Sequence, residues 1–179
     1  MLFADRLKQA ILNEKRWRTK FALLFVDIDG FKPVNDRYGH AVGDMLLQRI
    51  GKRMKQCLRE SDTIARIGGG ELVAILPAVN EAEDAVSIAE KLRQSIEKRF
   101  AVESCIPGVS ASVGVAVYPD DGLDEQTLQV NADHAMYQAK SRGGNAVVLR
   151  RRASLPSAPE SFFNFDASAL PGRRRTRLH

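Results

Sequence analysis

Residues Thr63–Leu76 read TIARIGGGELVAIL. Two short apolar runs flank three consecutive glycines, and a single glutamate, Glu71, follows them. Runs of this kind joined by glycine predict a β-hairpin, because glycine reaches the positive φ values that tight turns need. Pro77 is expected to end the second strand. The stretch also raises a chemical question. Bare backbone lets a ligand come close; the question is whether a side chain that chemistry would need is missing there.

Working outward, Lys20–Asp29 (KFALLFVDID) is a continuous apolar run, as expected of a strand buried on both faces. Before it, residues 2–17 predict a helix with Leu2, Phe3, Leu7, Ile11 and Leu12 on one side. After it, GFKPVNDRYGHAVGD reads as a polar loop. A second helix is expected over residues 44–58, with Leu46, Leu47, Ile50, Met54 and Leu58 facing inward. Beyond the hairpin, Asn80 and Glu83 resemble a capping box opening a third helix to about Arg99. VSASVGVAVYP predicts a strand. Residues 125–142 predict a fourth helix stopped by Gly143–Gly144, and NAVVL a last strand. The core order is β–α–β–β–α–β. Two βα units around a hairpin predict an α+β, ferredoxin-like mixed sheet with flanking helices. In that topology the end of the first strand, Asp27, approaches the turn at Gly68–Gly70.

The chain of 179 residues is long enough for one domain with a real core. Its net charge of +5 is localised: residues 150–179 hold seven arginines against two acids, which leaves residues 1–149 formally neutral. The folded part therefore gives no footing to a nucleic-acid partner. No apolar run is long enough to cross a bilayer, and the N-terminus has charges where a signal peptide would be apolar. Cys57 and Cys105 lack metal-site spacing and suit a reducing cytoplasm. Residues 1–149 are expected to form the domain. Residues 150–179, rich in Pro, Ser, Ala and Arg, read as a basic tail or interdomain linker.

In VDIDGFK, alternation puts Asp27 and Asp29 on one face of the strand end. Hard oxygen ligands there suit magnesium and the phosphates it carries; a strand-end acid capping a loop is the simpler alternative. Lys32 is placed to touch a phosphate or to stand in solvent. Asn35 and Asp44 can read the edge of guanine, an amide beside a carboxylate, although Asp44 alone reads equally as a helix N-cap. His40 is read as a structural hydrogen-bonding residue. No Walker A sequence is present, so any triphosphate is held differently.

DIDGFKPVNDRYGHAVGD, RIGGGELVAILP, ASVGVAVYPDDG and ADHAMYQAKSRGGNAV, in that order, resemble the successive motifs of the GGDEF family, the diguanylate cyclases. The resemblance implies a palm-like sheet that binds GTP with magnesium. It implies joining of two GTP into cyclic di-GMP with release of pyrophosphate, across two domains brought face to face. It also implies roles. Asp27 and the backbone carbonyl of Ile28 would hold the metal. Asn35 and Asp44 would read guanine. Lys32, Lys140 and the backbone at Gly30 and Phe31 would meet the phosphates, and Gly68 and Gly69 would let the hairpin approach the nucleotide. Arg59 and Asp62, with Lys91 or Arg93, match the spacing of an inhibitory cyclic di-GMP site.

This sequence departs from the family pattern in three places. The third signature position, Asp or Glu in the family, is Gly70, which removes a metal carboxylate; only Glu71 remains. Loss of one such ligand is expected to cost roughly a hundredfold to ten-thousandfold in rate. Gly144 stands where the family has Arg or Lys, with Arg142 two residues away as a substitute. The chain also begins inside the family's first helix, as expected of a fragment or a truncation. Three readings follow: a degenerate module binding GTP or cyclic di-GMP through a weakened magnesium site, a slow cyclase using Glu71, or a ligand-free dimerisation domain. An attached EAL phosphodiesterase or sensor domain is the neighbour the resemblance implies.

Overall fold

The computed structural model describes residues 2–17, 19–98 and 108–150. Cys105, the end of the third helix at Arg99 and the tail beyond Arg150 lie outside the described residues. The element order is α1 (Leu2–Trp17), β1 (Lys20–Asp29), α2 (Phe31–Tyr38), α3 (His40–Cys57), β2 (Thr63–Gly68), β3 (Glu71–Val79), α4 (Ala82–Glu97), β4 (Ser110–Tyr118), α5 (Glu125–Ser141) and β5 (Ala146–Leu149). The five strands form one mixed sheet in the order β2-β3-β1-β4-β5. The first three neighbouring pairs are antiparallel and β4–β5 is parallel. This is the α+β arrangement expected from the sequence.

Strand β1 is central, and its alternation divides the core. Ala22, Leu24, Val26 and Ile28 face a cluster built from α2, α3 and α4, including Phe31, Ile50, Met54 and Leu92. Phe21, Leu23 and Phe25 face the opposite cluster, which contains Leu7 and Ile11 of α1 and Leu128, Ala132 and Met136 of α5. Burial on both faces explains why β1 reads as an unbroken apolar run. On α1 the expected inward stripe is narrower than predicted: Leu12 is exposed, and the side chain of Leu2 lies outside the described residues.

The structure differs from the sequence reading in four local respects. First, the expected polar loop contains α2. Gly30, in the left-handed region at φ 78, starts it; Phe31 and Val34 bury one side, and Pro33 sits in the first turn, where a missing N–H costs nothing. Second, α3 starts at His40, so Asp44 lies inside the helix and is not its N-cap. Third, β3 continues through Pro77 to Val79. Pairing with β2 stops at Ile75, and a register shift against β1 covers Pro77 and Ala78, so the absent N–H is not missed. Fourth, the capping box of α4 is Glu81 with Asp84, one residue later than Asn80 with Glu83.

Helix α5 lies directly on β4 because Gly114 has no side chain. A β-carbon there would sit 2.1 Å from the Ala132 carbonyl oxygen and 2.2 Å from the Met136 nitrogen, both backbone atoms. This contact sets the height of α5 above the sheet, and hence of Lys140 near its end. Gly114→Ala is expected to lower unfolding free energy by about 3 kcal/mol or more, read as the shift in a urea melt. An unchanged midpoint would show that α5 is not seated this way.

Candidate functional site

The β1 end and the hairpin turn are joined by one backbone hydrogen bond, from the Ile28 N–H to the Gly70 carbonyl at 3.0 Å. Asp27 and Glu71 are direct partners across β1 and β3. Both continue the odd-numbered face that carries α5, whereas a side chain at position 70 would point to the α2–α3 face. The turn therefore separates two groups of candidate residues.

On the α5 face, the Lys140 ammonium pairs with Asp27 Oδ2. Asp27 is nearly buried, its side chain 12% exposed, while Lys140 is about half exposed. The Asp27 hydrogen bond raises the lysine pKa above its ordinary value, against an opposing effect of burial, with further support from Asp29 and Glu71. The second acid of the Asp-x-Asp pair has other work. Asp29 accepts from Ser110 Oγ and Ser112 Oγ, each at 2.8 Å, and from the Asn145 N–H at 2.9 Å. It ties β4 to the turn before β5 and is held there as a structural acceptor.

On the other face, Gly70 is buried against Phe31; a β-carbon on it would come 3.0–3.1 Å from the Phe31 side chain. The same ring reaches toward Gly43 of α3, which the Asn35 amide approaches more closely still. Asn35 Oδ1 is buried without a hydrogen-bond partner. Asp44 is exposed and pairs with Arg66 at 3.2 Å, and Arg66 also donates to the Gly69 carbonyl at 3.2 Å. The structure thus brings Gly30, Phe31, Asn35, Asp44, Gly68 and Gly69 around one lip. Asp27, the Ile28 backbone, Glu71 and Lys140 lie around its far side. Lys32 is exposed on the first turn of α2, and His40 is exposed at the start of α3.

A divalent ion needs several hard oxygen ligands. Here the Asp27 carboxylate is already paired with a cation, position 70 offers no carboxylate, and no cluster of three or more His, Cys, Asp or Glu suited to a metal occurs among the described residues. The residues present do not fit a two-carboxylate magnesium site. Gly144 adopts φ 75, and a β-carbon there would lie 2.9 Å from Asp29 Oδ2, so a side chain at that position meets strain as well as contact. Arg142 lines a groove beside β5 with Glu83 and Gln138, away from Asp27.

A second cleft, of about 260 Å³, is lined by Arg59, Asp62, Pro77, Ala78, Asp84 and Lys91 among others. Asp62 accepts from the Arg59 backbone N–H at 2.8 Å, which fixes the turn before β2. Lys91 reaches this cleft and Arg93 does not. Two residues apart on a helix, they point in different directions. Arg93 is held by Glu90, Glu97 and Asn145, which ties α4 to the turn before β5. Of the two basic candidates on α4, Lys91 lines the cleft and Arg93 is engaged elsewhere.

Comparison with known proteins adds the family. The family profile described as "Diguanylate cyclase, GGDEF domain" matches residues 1–146. The chain belongs to the GGDEF family. It is 47% identical over 180 residues to the bifunctional diguanylate cyclase/cyclic di-GMP phosphodiesterase MucR of Pseudomonas aeruginosa, covering all of this chain and 26% of that protein. The chain spans between about a quarter and two fifths of the length of three curated relatives it matches. Among solved structures, the GGDEF domain of TpbB (YfiN) from P. aeruginosa superposes with a TM-score of 0.80 at 35% identity, covering 84% of this chain and 94% of that one. The GGDEF domain of DgcB from Caulobacter crescentus, in complex with c-di-GMP, superposes with a TM-score of 0.75 at 26% identity, covering 83% and 88%. Within this GGDEF domain the signature reads GGGEL at residues 68–72.

Sequence reasoning missed Glu14, a buried acid on α1. It is buried on α1 with Oε2 unpartnered, and the Ala78 backbone N–H is the hydrogen-bonding group opposite it. A glutamate at an a-type position of an amphipathic helix was the available signal. Burial pushes its carboxyl above the ordinary range, partly offset by Ala78. The folded pKa exceeds the unfolded one, so the destabilisation is complete above the folded value and fades as pH falls below it. From pH 7 down to pH 5 the wild type is expected to gain stability relative to Glu14→Gln, which has no such group to protonate. Thermal melts of both proteins at the two pH values check this; parallel pH dependence would contradict it.

Proposed function

We propose that this GGDEF domain serves cyclic di-GMP signalling as a guanine-nucleotide receptor and not as an efficient cyclase. The observation that carries the reading is Gly70. Gly70 packs on Phe31 where the family resemblance implies a carboxylate, while Asn35 and Asp44 stand around the same lip. In this reading Asn35 and Asp44 bind the base. Lys32, Lys140 and the N–H groups at the start of α2 meet the phosphates, and Gly68 and Gly69 let the backbone come close. Arg59, Asp62 and Lys91 form a separate product site in the second cleft: the guanidinium and ammonium take phosphate oxygens and the carboxylate takes guanine N–H groups. The magnesium site is weakened, because the Lys140 ammonium already balances Asp27.

The likeness to MucR supports placing the domain in a longer signalling protein with an attached EAL phosphodiesterase domain, where nucleotide occupancy would bias the neighbour. Pairing of two domains remains part of this reading, since an occupied domain can still dock against a copy. The alternative, a slow cyclase, draws on one observation: Glu71 stands directly opposite Asp27 on the same face. Both carboxylates act on the same lysine, Lys140.

Calorimetry with GTP and with cyclic di-GMP tests the receptor reading. Binding of at least one ligand is expected, with magnesium changing GTP affinity by less than about tenfold. No heat at high micromolar ligand would contradict it. Incubation with GTP and magnesium, resolved by chromatography, separates the two readings. The wild type is expected to form little cyclic di-GMP, and Gly70→Glu to raise product by about tenfold or more, at a folding cost of about 1–2 kcal/mol from displacing Phe31. Substantial wild-type product that vanishes in Glu71→Ala would establish the slow cyclase instead.

A further inference from the structure

Gly43 is buried in the second half of the first turn of α3. Its backbone is helical and lies outside the left-handed region, so no turn geometry calls for glycine there. In a helix, glycine is the weaker choice beside alanine. The compensating feature is space. A β-carbon on Gly43 would lie 1.8 Å from Asn35 Oδ1, 2.9 Å from Asn35 Cγ and 3.3 Å from Phe31 Cζ. The Asn35 amide therefore occupies the place of the missing side chain. Its oxygen is buried and has no hydrogen-bond partner, although a buried polar atom is ordinarily satisfied. Asn35 is held at its backbone too, since its carbonyl accepts from the Gly39 N–H at 2.8 Å. One residue beyond Gly43 stands Asp44.

We infer that Gly43 is a specificity-determining positioning residue for a guanine base. Its bare backbone seats the Asn35 amide in one orientation beside Asp44, so that an amide and a carboxylate meet the base together. This inference rests on the receptor reading and deepens it. The chemistry suits guanine because that base presents adjacent N–H donors for a carboxylate and a further edge for an amide. Adenine lacks the N1–H, and the same pair leaves a carboxylate facing a ring nitrogen acceptor. A methyl at position 43 displaces the amide without touching Asp44. The nearest clashing atom is the end of a flexible side chain, so the helix itself has no reason to unfold.

The test is a double-mutant cycle on the full chain, using GTP and ATP as probes in calorimetry, with helical circular dichroism and melting temperature recorded for each variant. Gly43→Ala is expected to keep its helical signal and to weaken GTP binding by about tenfold, leaving weak ATP binding unchanged. In the Asn35→Ala background, where the amide is already gone, Gly43→Ala is expected to have no further effect. If Gly43→Ala alone fails to fold while the double variant folds, the clash is assigned to Asn35 directly and the seat is supported. Unchanged GTP affinity in Gly43→Ala overturns the inference alone. So does equal weakening of GTP and ATP, or an effect that adds to that of Asn35→Ala. If the wild type binds no guanine nucleotide, the receptor reading falls, and this assignment with it.

Discussion

A single backbone hydrogen bond, Ile28 N–H to the Gly70 carbonyl, fixes what this turn can do. It pins the hairpin to the end of the central strand. Once pinned, alternation decides the rest. Position 71 must face α5 beside Asp27, and position 70 must face Phe31. A carboxylate at 71 therefore does not replace one at 70; the two lie on different sides of the sheet end. The turn itself stays open to backbone approach, because Gly69 adopts φ 29 and Gly70 is packed without a side chain.

The charge balance follows from the same geometry. Three carboxylates, Asp27, Asp29 and Glu71, act on Lys140. Asp29 is largely satisfied by two hydroxyls and a backbone N–H, which leaves Asp27 as the lysine's close partner. Half exposure of Lys140 keeps that pair modest in stability terms, and its weight is in arrangement. A cation supplied by the chain pairs with Asp27, the acid that the family resemblance implies would hold a metal. Gly114 makes this possible by letting α5 settle onto β4. A residue near the middle of the sheet thus sets the reach of a side chain at its end.

The architecture was legible because its signals are strong and local. The doubly buried run at Phe21–Val26, the glycine turn and the amphipathic faces of α3, α4 and α5 each have one physical interpretation. Helix α2 was not legible, because Gly30, Pro33 and a short polar stretch carry the composition of a loop. Its two buried residues, Phe31 and Val34, give too little periodicity to outweigh that. The continuation of β3 past Pro77 was hidden for a related reason. Proline argues against a strand only where its N–H is needed, and the end of β2 that frees it is a tertiary fact. At the candidate site, Asp27, Asn35, Asp44 and Arg59 were singled out from spacing and family likeness. That Lys91 and not Arg93 lines the second cleft needed the helix rotation, and the surroundings of Gly43 and Glu14 needed the packing.

The most direct test of the account is a crystal structure of the chain with a non-hydrolysable GTP analogue and manganese, with anomalous scattering used to locate the metal. The account predicts guanine density between Asn35 and Asp44, with Lys140 within contact of Asp27 or a phosphate and no fully occupied manganese liganded by two side-chain carboxylates of this chain. A full anomalous peak bridging Asp27 and Glu71, with Lys140 swung aside, would contradict it and describe a working catalytic centre.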